Sequence, residues 1–522
     1  MPSGELQKLR RDRDNARRSG NVKKYKKLRN KAVMCSKQER QDALNNLLNE
    51  EPEKIWSVLE EIQGKKSGDQ ANITVSGKEV HGKKAAEAFN VYFLKKIRLI
   101  KESLGKAGKE PCDSTRTRAR NLQLQRNEIF FRDVTEKEVQ KAIGAMKGSK
   151  ATDTHGLSPY ILKLAAPVMT TPLTYVINES LSAATVPSCW KEAKITPLHK
   201  KKSKKEVANY RPVSILSTPS KVLESIVRQQ LSDQVEFLKI IPSSQHGFRK
   251  DHSTTTAVAV LEHDLKKAKQ TKLCAGALFL DLSSAFDTID SEILAQKFEE
   301  YGATSNVTEW IKSYLGGRRQ MVVYQNSQSE IVDNNIGAPQ GSILSPFLFL
   351  VLVSDMEECL LGMEGVKLIS YADDTTIYAC AKTTDEVYTL LRDAAEKILS
   401  FMHSSGLAAN PDKTNFVLFG AGEETPVHIG GSQIAPSKVE KLVGVQLSSN
   451  LSWEVNLQEK ERELRGRIGI LRRLSWHLPR NIMIKCLSPI FTSKLMFGLE
   501  LMADPLKHFD RSQPNCSIIN RL

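Results

Sequence analysis

The sequence predicts an α+β fold, an antiparallel sheet covered by helices. Three observations carry this expectation. Short apolar segments of strand length ("KITPLHK", "AGALFLDL", "KTNFVLFG") alternate with longer ones of helical periodicity ("LESIVRQQLSDQVEFL", "DEVYTLLRDAAEKILSFMHSSG"). Two stretches, "QMVVYQNSQSEIVDNNIGAP" and "VKLISYADDTTIYAC", read as hairpins broken by turn-forming residues. A packed region opens on a capping box, Thr135 followed three residues later by Glu138, in "TEKEVQKAIGAM".

Taken in order, residues 1–65 read as charged, weakly amphipathic helix, and "GKKSGDQANITVSGKEVHGKK" as a loop or short hairpin before the helical "AAEAFNVYFLKKI". Residues 1–110 are expected to form a basic helical N-terminal extension. From Lys101 to Arg126 the composition is Gly, Lys, Arg and Ser with few large apolar residues, and residues 111–134 are expected as a linker. The main α+β region spans 135–450, with "SILSPFLFLVLVSDMEECL" as a buried helix inside it. From 451 the chain turns helical again. "EKERELRGRIGILRRLSWHLP" is a basic amphipathic helix with Arg462, Arg465, Arg467, Arg472 and Arg473.

Charge and cysteine usage narrow the function classes. The 522 residues carry a formal charge of +16, which suits a polyanionic partner because cations that neutralise phosphates release condensed counterions. Residues 1–50 hold 14 Lys/Arg against 6 Asp/Glu, so half the excess sits in the first tenth of the chain. The eight cysteines are scattered with no CxxC pair, which argues against a zinc module and a secreted disulfide framework. An intracellular, reducing setting is expected. The longest apolar stretch, "FLFLVLV", is far too short to span a bilayer, so no membrane partner is expected.

The candidate chemistry lies in three aspartates. "ALFLDLSSAFDTID" places Asp281 at the end of an apolar strand, and "SYADDTTIYA" places Asp373 and Asp374 at a hairpin turn. Side chains alternate across a strand, whereas a turn lets adjacent residues project into one space. Such a pair read alone is equally a solvated surface turn. Were the two strands neighbours, the three carboxylates would suit hard divalent cations such as Mg²⁺, and two ions can stabilise both oxygens of an in-line displacement.

The order of blocks points further. "ITPLHKKKSKKEVANYRPVSILST", "SSQHGFRKDHSTTTAV", "LFLDLSSAFDTID", "GAPQGSILSPFLF", "YADD", "NPDKTNFVLFG" and "KLVGVQLSSNLSW" occur in that sequence. Together they resemble the reverse transcriptases of non-LTR (LINE-type) retrotransposons, jockey-like elements especially. The resemblance covers roughly residues 135–489. It implies a right-hand polymerase: fingers and a palm with an antiparallel sheet over 135–450, and a partial helical thumb over 451–522, preceded by the basic helical N-terminal region. The implied activity is RNA-directed DNA polymerisation, with RNA template, DNA primer or target and dNTPs as partners. Two Mg²⁺ ions (Mn²⁺ as substitute) are the implied cofactors, and the implied setting is a ribonucleoprotein of nucleus or cytoplasm.

The resemblance also implies roles. Asp281, the backbone of Leu282 and Asp373 would bind the metal ions, with Asp374 in a supporting position. Phe286 would be the steric gate that excludes a 2′-OH. Gln340 and Gly341 would pack on the incoming nucleotide, and Lys200 and Arg211 would clamp its triphosphate, the arginine through its bidentate fork. Lys413 would protonate the leaving pyrophosphate. Gly444 would belong to the primer grip, and Arg462, Arg465 and Arg472 to a thumb surface on the nucleic-acid backbone. Membrane-surface or calmodulin-like binding is the alternative for that basic helix.

Three departures stand out. "DTHG" (Asp153–Gly156) replaces a Pro-Asp-Gly core, the family's upstream endonuclease is missing, and the pattern frays after about Leu495. They leave open a decayed or co-opted fragment that binds nucleic acid without efficient polymerisation.

Overall fold

A computed structural model of the chain describes residues 3–51, 54–62, 71–75, 77–105, 128–200, 202–282, 284–410, 413–420, 425–429 and 431–502. Residues 111–127 of the expected linker and the frayed tail after 502 lie outside the described residues. The chain divides into two compact units, Gln70–Leu451 and the pair Met1–Asp69 with Ser452–Leu522.

The second unit is helical. It begins with α1 (Gly4–Arg18), α2 (Val22–Glu50) and α3 (Ile55–Ile62). Ser3 caps α1 through its hydroxyl, which accepts from the Leu6 N–H, and Asn21 caps α2 in the same way. The expected N-terminal extension is divided between the two units, its residues up to Asp69 belonging to the helical one. Leu48, Val58 and Leu59 pack in one apolar cluster with Leu474, Leu478, Ile482, Cys486 and Ile490 from the far end of the chain. The reason is hydrophobic: helices with few apolar residues need a partner surface to bury them, and tertiary packing supplies most helix stability.

The larger unit starts with a short hairpin, β1 (Ile73–Val75) and β2 (Lys78–Val80), and helix α4 (Gly82–Leu104). These residues were expected in the N-terminal extension. Instead Phe89 and Phe93 of α4 insert against Tyr210 and Tyr324, with the Phe89 ring centroid 4.9 and 4.8 Å from the two tyrosines. The helix also sends Asn90 into the core, where it accepts from Gln320 Nε2 at 2.7 Å and donates to Ser329 Oγ at 3.0 Å. Buried amides persist only when satisfied in this way.

Next come α5 (Glu136–Ala145), with the expected reciprocal capping box, and α6 (Pro159–Ser182). A second sheet follows, with strands β3 (Glu192–His199) and β4 (Tyr210–Leu216) paired antiparallel. Helices α7 (Thr218–Phe237) and α8 (Thr254–Gln270) then lead to β5 (Cys274–Leu280). After α9 (Ser291–Glu300) and α10 (Ser305–Leu315), strand β6 (Arg319–Tyr324) joins β3 in parallel, a pairing that local sequence does not announce. The short strands β7 (Ser327–Gln328) and β8 (Val332–Asp333) pair back onto β6.

The strand–turn–strand segment forms β9 (Val366–Tyr371) and β10 (Asp374–Ala381) after α11 (Ser345–Leu352), which is apolar past Ser345 and buried from Phe347 onward. Helix α12 (Thr384–Ser404), strand β11 (Asn415–Phe419), the hairpin pairs β12 (Val427–Ile429)–β13 (Ser432–Ile434) and β14 (Val439–Leu442)–β15 (Val445–Ser448) complete the unit. The central sheet runs β11-β5-β10-β9, antiparallel throughout, as the fold class requires. Helix α12 lies so close to β5 that a Cβ at Gly276 would come within 2.8 Å of Val387. The large apolar core on these faces includes Trp310 stacked on Tyr314 at 5.4 Å.

After residue 451 the helical unit resumes with α13 (Glu454–His477) and α14 (Arg480–Leu487), then one π turn and two short helices to Met502. Two helical segments, Pro159–Ser182 and Arg480–Met502, are long and apolar enough by length and composition to cross a membrane. The uninterrupted-run criterion missed them because Thr, Ser, Pro and Gly dilute the apolar residues. Each also places residues in a packed core, Leu162, Leu173, Ile177 and Leu181 in the first and Ile482, Cys486 and Ile490 in the second.

Candidate active site

The acidic turn is built by strand pairing. Tyr371 pairs with Asp374, so Ala372 and Asp373 form a two-residue turn between β9 and β10. Ala372 adopts φ +57°, a left-handed conformation costly for a residue with a Cβ. It is held there by the "SSQHG" segment. Gln245 Oε1 accepts from both Ala372 N–H (2.9 Å) and Gly247 N–H (2.8 Å), His246 N–H donates to the Ser370 carbonyl at 2.8 Å, and Ser370 N–H donates to Ser244 at 2.9 Å. The backbones lie so close that a Cβ at Gly247 would fall 2.3 Å from the Ala372 nitrogen. Sequence reading matched this block to a family pattern but assigned nothing to Gln245 or Gly247.

Strand β5 delivers the third carboxylate. Leu280 pairs with Thr375, and continuing that register by one residue sets Asp281 opposite Asp374. The backbone of Asp281 is pinned from the other side, where Asn410 N–H donates to its carbonyl at 2.8 Å and Leu282 bridges Ala409. Leu282 itself is buried. Burial, with the Asp281 charge adding, holds the Asp373 carboxyl above the usual carboxylate range. Burial and then repulsion from Asp373 and Asp281 push Asp374 up to about 6, although that residue keeps an exposed edge. Lys413 Nζ binds Asp281 Oδ2 and opposes both shifts.

Among the described residues no three acid, His or Cys side chains already stand as a metal-coordinating set. The donor chemistry nevertheless suits a hard divalent cation. Three oxygen-bearing groups share one sheet end, their mutual repulsion is visible in the raised Asp373 and Asp374, and the one that has a cation is paired with an ammonium. Asp281, Asp373 and Asp374 are the residues that would hold such ions.

Past Asp281 the chain makes a 3₁₀ turn, Ala285–Thr288. Phe286 is half-buried, its ring centroid 5.3 Å from Phe349 and its carbonyl accepting from Ala338 N–H at 2.8 Å. Its neighbour Asp287 went unnoticed in the sequence. Burial raises this carboxyl to about 6, and it accepts a 2.7 Å hydrogen bond from Gln340 Nε2. Gln340, expected on the nucleotide, is thus tied through its side chain to Asp287. Its carbonyl accepts from Ser214 N–H on β4 at 2.8 Å. Gly341 has φ +104°, and a Cβ there would lie 2.8 Å from the Ser214 carbonyl oxygen, which explains glycine at that position. Lys101 of α4 reaches the same region, 3.0 Å from Asp290.

Lys200 and Arg211 lie on one face of the β3–β4 hairpin. Arg211 is paired with Leu198, two residues before Lys200, and both cations are exposed. The buried Asp153 of the divergent "DTHG" accepts from His155, Leu157 and Thr218 N–H groups at 3.0, 2.9 and 2.8 Å, so it braces the entry to α7. Gly444, φ +93°, forms with Val443 the exposed turn between β14 and β15.

On α13 the arginines divide. Arg462, Arg472 and Arg473 are exposed, whereas Arg465 is paired with Glu461 one turn back. Arg467 differs from expectation: its guanidinium donates to the Ile490 carbonyl at 2.8 Å, closing the helical unit on itself.

Residues 199–447 match the family model described as reverse transcriptase (RNA-dependent DNA polymerase). The chain is 28% identical over 352 residues to a probable RNA-directed DNA polymerase from transposon BS of Drosophila melanogaster, covering 63% of this chain and 38% of that protein. It is 27% identical over 381 residues to the RNA-directed DNA polymerase from mobile element jockey of the same fly, covering 70% and 41%. A Pol polyprotein from type-1 retrotransposable element R1 of Bradysia coprophila is 23% identical over 381 residues, covering 70% and 37%. The chain therefore spans about two fifths of the length of the curated relatives it matches. Residues 199–447 are a reverse transcriptase domain, homologous to those of the jockey-like non-LTR retrotransposon RNA-directed DNA polymerases.

Proposed function

We propose that this chain extends a DNA primer on an RNA template, as the polymerase part of a non-LTR retrotransposon. The observation that carries the reading is the meeting of Asp281, Asp373 and Asp374 at one end of the central sheet, inside the matched domain. Two Mg²⁺ ions held there, or Mn²⁺ in their place, would supply electrostatic stabilisation to the attacking and leaving oxygens. The primer 3′-OH gives its proton to solvent and bonds to the α-phosphorus of a dNTP, and the α–β phosphoanhydride breaks to release pyrophosphate. Lys413, paired with Asp281, is the proton source we assign to the leaving group. Arg211 and Lys200 face one way on their hairpin, which suits a triphosphate clamp. Gln340 and Gly341 support the nucleotide site through Asp287 and β4, and Phe286 bars a 2′-OH. The setting we propose for it is an intracellular ribonucleoprotein.

A second reading, a nucleic-acid binder that polymerises poorly, is favoured by one observation. Asp281 is engaged by Lys413. Extension of oligo(dT) on poly(rA) with dTTP and Mg²⁺ separates the two. The polymerase reading expects extension that Asp373→Asn abolishes, and rNTP incorporation by Phe286→Val. Wild-type extension no greater than the Asp373→Asn background favours the binder.

A further inference from the structure

A buried carboxyl lies behind the loop that carries Gln340, and no step of the proposed reaction uses it. Glu224 of α7 is fully buried, where acidic side chains are found almost only when paired. Its two oxygens accept hydrogen bonds from Ser220 Oγ at 3.1 Å, Ser342 Oγ at 2.9 Å and the Ile343 N–H at 2.8 Å. The Ser342 hydroxyl has a single proton and gives it to Glu224. The Tyr314 hydroxyl of α10, 2.8 Å away, is therefore the donor to Ser342 Oγ. Burial first, and then the Glu224 charge, hold that phenol far above its ordinary range, so it stays a donor.

Two carboxyls thus hold one short loop from its two ends. Asp287 takes the Gln340 side chain at 2.7 Å, and Glu224 takes Ser342 and Ile343 just beyond. Gly341 lies between them at φ +104°, pressed against the Ser214 carbonyl. An unusual backbone conformation persists only where its surroundings over-determine it. The platform behind the grip is itself fixed, since the Thr218 N–H at the start of α7 donates to Asp153 at 2.8 Å.

We propose that Glu224 is a positioning residue for nucleotide binding: through Ser342 and Ile343 it fixes the Gln340–Gly341 loop in the shape that receives the incoming dNTP. The ligand in this proposal rests on the polymerase reading, whereas the grip on the loop does not.

The test is steady-state extension of oligo(dT) on poly(rA) by the full chain, with dTTP varied. Glu224→Met keeps the length of the side chain and removes both acceptors. It is expected to raise KM for dTTP about tenfold while kcat stays within about threefold, the mark of lost nucleotide binding rather than lost chemistry. Glu224→Gln is expected to recover most of the wild-type KM. Its one amide oxygen can serve Ser342 and Ile343 while its nitrogen faces the Ser220 hydroxyl. Added to Gln340→Ala, Glu224→Met should raise KM little further, because both act at one loop. The proposal is overturned by an unchanged KM in Glu224→Met, by a fall in kcat alone, by a Glu224→Gln no better than Glu224→Met, or by effects that multiply in the double variant. If Glu224→Met does not fold, Ser342→Ala is read in its place, with a rise in KM expected and an unchanged KM overturning the proposal. Hydrogen exchange supplies a readout without turnover. Amide protons from Gln340 to Ser345 should exchange faster in Glu224→Met, and those of β5 and β10 as in wild type. A wild-type chain that extends no primer defeats the polymerase reading, and exchange then decides the grip: an unchanged rate at Ile343 overturns it.

Discussion

The acidic turn and the basic face of α13 carry opposite charge, and they are held in opposite ways. Asp373 sits on a two-residue turn whose backbone is gripped by Gln245, His246 and Gly247, with Asp281 pinned by Asn410 alongside. Arg462 and Arg472 stand on a regular helix with exposed side chains, and Arg465 is paired only within that helix. The difference matches the roles proposed for the two regions. Two-metal chemistry would depend on placement to a fraction of an ångström, which buried hydrogen bonds and a strained Ala372 would supply. A phosphate backbone is gripped by charge alone, and flexible exposed arginines suffice.

This contrast can be broken by substitution. Gly247→Ala forces a Cβ into the Ala372 backbone and should displace the acidic turn. A shift of about 1 Å costs about a hundredfold in rate, so primer extension should fall by that order while RNA binding is kept. Unchanged extension would mean the bracket does not set the turn. A smaller effect is expected from Arg462→Gln with Arg472→Gln. Affinity should drop several-fold and the salt slope by about 1.4, with extension at saturating template preserved. The smallest is Gly466→Ala on α13, where an added Cβ meets nothing within 4 Å. It should stabilise the helical unit by about 0.5–1 kcal/mol in thermal unfolding, leaving extension unaltered.

The local features were legible in the sequence because they are local. A hairpin turn beside Asp373, a strand ending in Asp281, the Thr135–Glu138 box and a buried helix within 342–360 all write themselves in short-range pattern. The turn nevertheless falls one residue before the expected Asp373–Asp374, at Ala372–Asp373, and the helix covers only Ser345–Leu352. What escaped depends on distant partners. The parallel β3–β6 pairing, the packing of Phe89 against Tyr210 and Tyr324, and the joint core of Leu48 with Leu474 leave no periodicity to read. Gln245 and Asp287 were missed for the same reason. A polar residue that fixes a backbone across about 127 positions, as Gln245 does for Ala372, looks like any surface glutamine in one dimension.

The central claim is that Asp281, Asp373 and Asp374 form one cation site. Its most direct test replaces Mg²⁺ with Fe²⁺ and adds ascorbate and peroxide, so that radicals formed at bound iron cut the nearby backbone. Cuts are expected around residues 281 and 373, suppressed by excess Mg²⁺ and lost in Asp281→Asn with Asp373→Asn. Cleavage absent from both segments, or persisting unchanged in that double variant, would contradict the account.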